Sequence, residues 1–390
     1  MSASPFATSP RFTLDGDAAL ETHLAQTCAR VVSGIRGLVP ASKFEAVLLG
    51  GGYGRGEGGV LRGPGGDRPY NDLEFYVALR GNRHVNELRY HRRLAVLGEI
   101  LTQLADAEIE FKITSLAELS TRPVSMFTYD LVAGHRLWSN APVPHLSGCE
   151  SHRFAGSIPI FEATRLLMNR CSGLLFARAE LDRPTLAPVA ADFVRRNIAK
   201  VQLACGDAVL TSRGRYHWSC RERQHRLAQL DEYGPSPWLD AVLRHHAVGV
   251  DFKLHPTSDA LPPTALATLH REVTALALQT WLTLESARLH CEFPSARAYA
   301  ETSANLCPDT PLFRNVALNF RVNRFRFHAH PSPSRHPRQR IFRALALLLW
   351  EPATFTDPAL RHRLATELGA PAPDFPAALA AYRALWARVH

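Results

Sequence analysis

One stretch narrows the choice of folds more than any other. Phe44 to Leu49 is a short apolar run that ends at Gly50-Gly51-Gly52, and Tyr70 to Val77 is a second apolar run that carries Asp72 and Glu74. A strand that stops at consecutive glycines turns sharply and lets a ligand approach the backbone closely, and N–H groups at a helix start beyond it can bind phosphate oxygens. In the second run, residues i and i+2 point to one side, so both carboxylates project together while Leu73 and Phe75 enter a core. Two convergent negative charges repel unless a cation lies between them, and oxygen-rich clusters of this kind suit Mg²⁺. A third acid from a neighbouring strand would complete the set. Glu110, flanked by Ile109 and Phe111, is the first choice, and Glu108 on the same strand face is the fallback.

Competing phosphate-binding turns fail on context. A Walker P-loop needs a Lys and a Ser or Thr to reach terminal phosphates and Mg²⁺, and residues 48–59 contain neither. Gly54, Gly56 and Gly59 satisfy G-x-G-x-x-G, but a dinucleotide fold requires that motif to open a helix leading to the next strand. Gly63, Pro64, Gly65, Gly66 and Pro69 rule that helix out and fit a hairpin or flap over residues 58–66 instead.

Around this segment the pattern is helix, strand, turn, strand, helix, strand. Residues 15–39 and 84–105 have helical periodicity, and Ile109, Phe111 and Ile113 mark the third strand. Beyond Ser151 the chain reads as helices separated by proline-rich breaks: 160–180, 189–211, 219–232, 237–248, 263–291, 337–349, 358–367 and 373–389. Ser219 and Glu222 fit a capping box at one of these starts. The pattern predicts an α+β chain of two domains, 1–150 and an all-helical 151–390, with the chemistry in the first.

Composition bounds the setting. Lys and Arg number 45 against 36 Asp and Glu, a balance of +9 that favours phosphate-bearing partners. Seven scattered cysteines with no CxxC pair indicate neither a disulfide framework nor a zinc knuckle, and so a reducing, cytoplasmic setting. No apolar run approaches the ~20 residues that span a bilayer, so no membrane partner is expected.

With Gly51-Gly52-Tyr53-Gly54-Arg55-Gly56-Glu57 followed by Asp72-Leu73-Glu74-Phe75, residues 44–113 resemble the DNA polymerase β-like nucleotidyltransferase superfamily, especially its minimal and antibiotic-modifying branches. Gly52 stands where that signature more often has Ser, and the interval before Asp72 is longer than usual. The resemblance implies a nucleotidyltransferase-fold mixed sheet with flanking helices, and a Mg²⁺-dependent enzyme moving a nucleoside monophosphate from an NTP, ATP first among them, to an acceptor hydroxyl on a small molecule, protein or RNA. It implies two Mg²⁺ ions, with Mn²⁺ as a substitute, held by Asp72, Glu74 and Glu110, the last ligating on the acceptor side or acting as general base. It further implies that Gly51, Gly52, Tyr53 and Gly54 hold phosphates through backbone N–H groups, with Arg55 adding charge or fixing the turn through Glu57. Related enzymes also use a helical-domain lysine, here Lys200.

Two further expectations concern the rest of the chain. Residues 129–137 look like the strand closing the sheet in the minimal enzymes, with Asp130 structural. Arg321, Arg324, Arg326, Arg335, Arg338, Arg340 and Arg343, interleaved with Phe325, Phe327 and Phe342, form an acid-free segment that fits either a solvated face or RNA contacts through residues 321–343. A catalytically silent nucleotide- or RNA-binding protein of the same fold is therefore the alternative to the enzyme.

Overall fold

In a computed structural model, residues 11–139, 146, 148–230, 236–257, 261–322 and 333–389 are described. The chain divides into two compact units. The first runs up to Glu162 and also takes Leu210–Pro235 and Leu243–Asp259; the second holds Ala163–Val209, Ser236–Val242 and the chain from Ala260 onward.

The first unit is built on a sheet. Its elements are α1 (Ala18–Leu38), β1 (Phe44–Leu49), the one-turn α2 (Gly51–Arg55), β2 (Val60–Leu61), β3 (Arg68–Pro69), β4 (Leu73–Leu79), α3 (Arg83–Ala105), β5 (Ile109–Thr114), α4 (Leu116–Thr121), α5 (Met126–Ala133) and β6 (Arg136–Ser139). Four strands form a mixed sheet in the order β5-β4-β1-β6, and β2 pairs with β3 as a separate hairpin over the glycine-rich stretch. β1 runs antiparallel to both β4 and β6, whereas β4 and β5 run parallel, joined through α3.

Alternation along the strands explains why both sheet faces are covered. Val47 and Leu49 of β1 join Phe75 and Val77 of β4 in a core with α1 and α3, and Ala46 and Leu48 join Tyr76 and Ala78 in a second core with Leu119, Leu131 and Val132. The helices present matching stripes: Leu20, Leu24, Val31 and Ile35 on α1, and Tyr90, Leu94, Gly98, Leu101 and Ala105 on α3, recurring at three- and four-residue spacing. Asp17 and Asn82 cap the two starts by accepting Leu20 N–H and Val85 N–H at 2.7 and 3.2 Å.

One local expectation is corrected. Of residues 129–137 only Arg136 and Leu137 are strand, the start of β6 at the edge of the sheet beside β1; residues 129–133 belong to α5, which a reciprocal capping box of Ser125 and Thr128 starts. The short apolar run was open to either period, and the cap decided it.

Among the described residues the rest is helical, with α6 (Phe161–Leu181), α7 (Pro188–Ser212), α8 (Cys220–Ala228), α9 (Pro237–Leu254), α10 (Pro263–Leu289), α11 (Ala296–Glu301), α12 (Leu312–Val322), α13 (Arg338–Trp350), α14 (Pro358–Leu368) and α15 (Phe375–Val389). In the second unit Trp281 is fully buried against Tyr299, Phe342 and Trp350. Beside it Glu285 pairs with Arg288 at 2.7 Å and accepts hydrogen bonds from Thr164 and Tyr299, which satisfies a charge that burial would otherwise penalise. Among the described residues no helix is long and apolar enough to cross a membrane.

Candidate metal centre

The parallel register of β4 and β5 sets Glu74 directly beside Glu110. Asp72 precedes Glu74 by two residues and projects from the same side, so one carboxylate oxygen from each of the three lies within 4.8 Å of the others. Glu108 is not part of the cluster; its carbonyl accepts Leu73 N–H at 2.8 Å. Partial burial and the charges of Glu74 and Glu110 push the Asp72 carboxyl above its ordinary pKa, the response of an acid crowded by like charges.

Sequence reasoning missed two side chains at this cluster. Lys112 lies two residues beyond Glu110, on the same strand face, and its ammonium is 3.1 Å from Glu110 Oε2 and 3.4 Å from Glu74 Oε1. Burial works against that ammonium, but the two carboxylates carry its pKa upward. Tyr76, opposite Lys112 in the register, donates its hydroxyl to Glu74 Oε2 at 3.1 Å. The i+2 spacing was the available signal for both, since it puts Glu74 with Tyr76 and Glu110 with Lys112.

The glycine turn adjoins the acids through the backbone. Gly50 N–H donates to the Glu74 carbonyl at 2.9 Å, ending β1 alongside β4. Gly51 has φ +63°, and a Cβ there would stand 3.8 Å from Glu74 Oε2, so the turn faces the cluster with no side chain between. A Cβ on Gly54 would overlap the Leu49 carbonyl oxygen. The N–H groups of Gly51, Gly52 and Tyr53 open α2, whose first intrahelical bond runs from Gly54 N–H to the Gly50 carbonyl at 3.0 Å.

The other side chains of the motif hold the turn from within. The Tyr53 ring is buried; its hydroxyl donates to the Gly59 carbonyl at 2.9 Å and accepts Tyr70 N–H at 2.9 Å, tying the turn to the approach of β4. Arg55 does not pair with Glu57. It is bonded to Asp130 on α5 at 2.8 Å, and the same Asp130 oxygen accepts the Tyr216 hydroxyl. Glu57 is 6% exposed and accepts Ser219 Oγ at 2.5 Å and Cys220 N–H at 2.8 Å. Its carboxyl is lowered to about 2: against the cost of burial stand the Lys253 charge and those hydrogen bonds. The cap of α8 is thus shared. Ser219 accepts Glu222 N–H as its spacing predicts, but the box does not close: Ser219 N–H goes to His217 Nδ1 at 3.1 Å, Glu57 takes the next N–H, that of Cys220, and Glu222 turns to Arg226 at 2.7 Å.

The remaining expected contacts belong to the second unit. Lys200 is exposed on α7, within the second unit. Of the arginine segment, Arg324, Phe325, Arg326 and Phe327 lie outside the described residues. Arg335 donates to the Ala304 carbonyl, Arg340 to that of Glu367, and Arg343 to that of Thr302 and to the Glu367 carboxylate. Phe342 is in the core. Arg335, Arg340 and Arg343 thus spend donors on backbone carbonyls and on one acid, whereas Arg321 at the end of α12 is exposed.

Three oxygen donors of one charge type, partly open to solvent and beside a bare backbone turn, fit a hard divalent cation and give no basis for a thiolate or imidazole metal. No family model matches this chain, and no curated protein or solved structure does.

Proposed function

We propose that the first unit is a divalent-cation-dependent nucleotidyltransferase, moving a nucleoside monophosphate from an NTP to an acceptor hydroxyl. The observation that carries the reading is the convergence of Asp72, Glu74 and Glu110 beside the Gly51–Gly52 turn. Asp72, Glu74 and Glu110 would hold the cation, Mg²⁺ by donor chemistry. Bound there, it supplies charge to offset the pyrophosphate leaving group and to lower the pKa of the acceptor hydroxyl. The backbone N–H groups of Gly51, Gly52 and Tyr53 would meet the triphosphate, with no side chain at Gly51 in the way. Arg55 and Glu57 serve this arrangement indirectly, by locking the turn to Asp130 on α5 and to the start of α8. On this reading the side chain of Tyr53 positions the turn and makes no contact with nucleotide.

The test is pyrophosphate release and label transfer from α-labelled NTPs with Mg²⁺, in the wild type and in Asp72→Asn and Glu74→Gln. Each variant should lose at least about a thousandfold in turnover while keeping its melting transition, because the cation site is lost without a core contact. Release that is equal in the wild type and Asp72→Asn, or no release from any NTP by the wild type, refutes the reading.

A further inference from the structure

Two of the three carboxylates in the cluster already meet donors from the protein. Glu74 has both oxygens engaged, Oε1 by the Lys112 ammonium at 3.4 Å and Oε2 by the Tyr76 hydroxyl at 3.1 Å, and Glu110 Oε2 meets the same ammonium at 3.1 Å. The Lys112 ammonium also sits 5.6 Å from the centre of the Tyr76 ring, a third contact on the same side of the sheet. A centre that loads two divalent ions needs carboxylates that bridge them, and although each Glu74 oxygen keeps a second lone pair, the Lys112 ammonium puts a positive charge where a second ion would have to approach.

We propose that Lys112 is a built-in second cation, so that the Asp72–Glu74–Glu110 cluster takes a single divalent ion. The charges agree with the geometry. Three ionised carboxylates set against one ammonium leave two negative charges, those of one divalent cation, whereas two divalent ions beside a retained Lys112 would leave the site positive. Lys112 is thus a specificity-determining residue for ion number, and it orients Glu74 and Glu110 before the ion arrives. This inference rests on reading the three acids as a divalent-cation site and goes beyond it, since the family resemblance implies two ions.

Mn²⁺ is the probe, counted by the paramagnetic resonance of the free ion and by calorimetry on the full chain. The wild type should bind one Mn²⁺ per chain in this site, and Asp72→Asn should lose it. Lys112→Met keeps the length of the side chain and removes the charge; it should bind a second ion, or the first on the order of tenfold more tightly. Lys112→Arg retains the charge and should behave as the wild type, which separates loss of charge from any general disturbance of β5. Two ions in the wild type, both lost in Asp72→Asn, would overturn the role of Lys112 and leave the metal centre standing. So would Lys112→Met indistinguishable from the wild type in number and affinity. No Mn²⁺ bound by the wild type would remove the metal centre and the inference together.

Discussion

Replacing Tyr53 by Phe removes one oxygen atom and tests how the glycine turn is tied to the acidic strand. The hydroxyl is buried, donates to the Gly59 carbonyl at 2.9 Å and accepts Tyr70 N–H at 2.9 Å. Burial raises its pKa to about 12, so it remains a donor throughout the range in which the protein is handled. Phe fills the same space, and Tyr70 N–H keeps its longer bond to the Gly59 carbonyl at 3.3 Å, so two hydrogen bonds are lost without orphaning either group and the first unit should lose about 1–2 kcal/mol. The loss should be read by urea unfolding, with amide exchange showing faster opening of β2 and β3. Tyr70 is two residues from Asp72, so slack there loosens the carboxylate, and Mn²⁺ affinity should fall by roughly threefold to tenfold in parallel. A side chain that instead met nucleotide would change nucleotide binding with little change in stability. An unfolding free energy within about 0.5 kcal/mol of the wild type, with unchanged Mn²⁺ affinity, would refute the reasoning.

Two glycine substitutions test the backbone approach at the turn: Gly54→Ala should cost more than about 4 kcal/mol and leave little folded protein, because its methyl overlaps the Leu49 carbonyl, whereas Gly65→Ala meets no atom within 4 Å and should melt as the wild type does. Glu57 predicts an acid-sensitive fold. Its carboxyl is at about 2 when folded against an ordinary 4.5, so the folded state binds fewer protons, and its contribution of about 3 kcal/mol is present above pH 4.5 and lost as pH falls toward 2. Glu57→Gln should be less stable at pH 7 and show a shallower decline in melting temperature between pH 5 and pH 2.5; parallel declines in the two proteins would count against the assignment.

Much of the first unit was legible because its signals are local. The β1 run ending in glycines, the same-side pair Asp72 and Glu74, and the stripes on α1 and α3 each follow from a short-range period that a chain obeys wherever it sits. The long C-terminal helices were legible for the same reason. The segment at residues 129–137 was not, because its apolar run suited either period and a two-residue cap chose the helix. Beyond the eight helices read after Ser151, the structure adds α11 and α12, of six and eleven residues.

The amino-acid order by itself determined where the chain turns, which side of β4 carries charge, and that a third acid had to come from a neighbouring strand. Only the tertiary structure decided which partners the charges take. Parallel pairing of β5 with β4 selected Glu110 over Glu108 and brought Lys112 into the cluster; packing gave Arg55 to Asp130 and Glu57 to the start of α8; and burial drew Arg335, Arg340 and Arg343 inward. The physical reason is one of range. Backbone periodicity is set by steric limits between neighbouring residues, whereas an ion pair or a hydrogen bond forms with whichever group the packed chain delivers to it, and partners tens of residues or more apart leave no trace in local spacing.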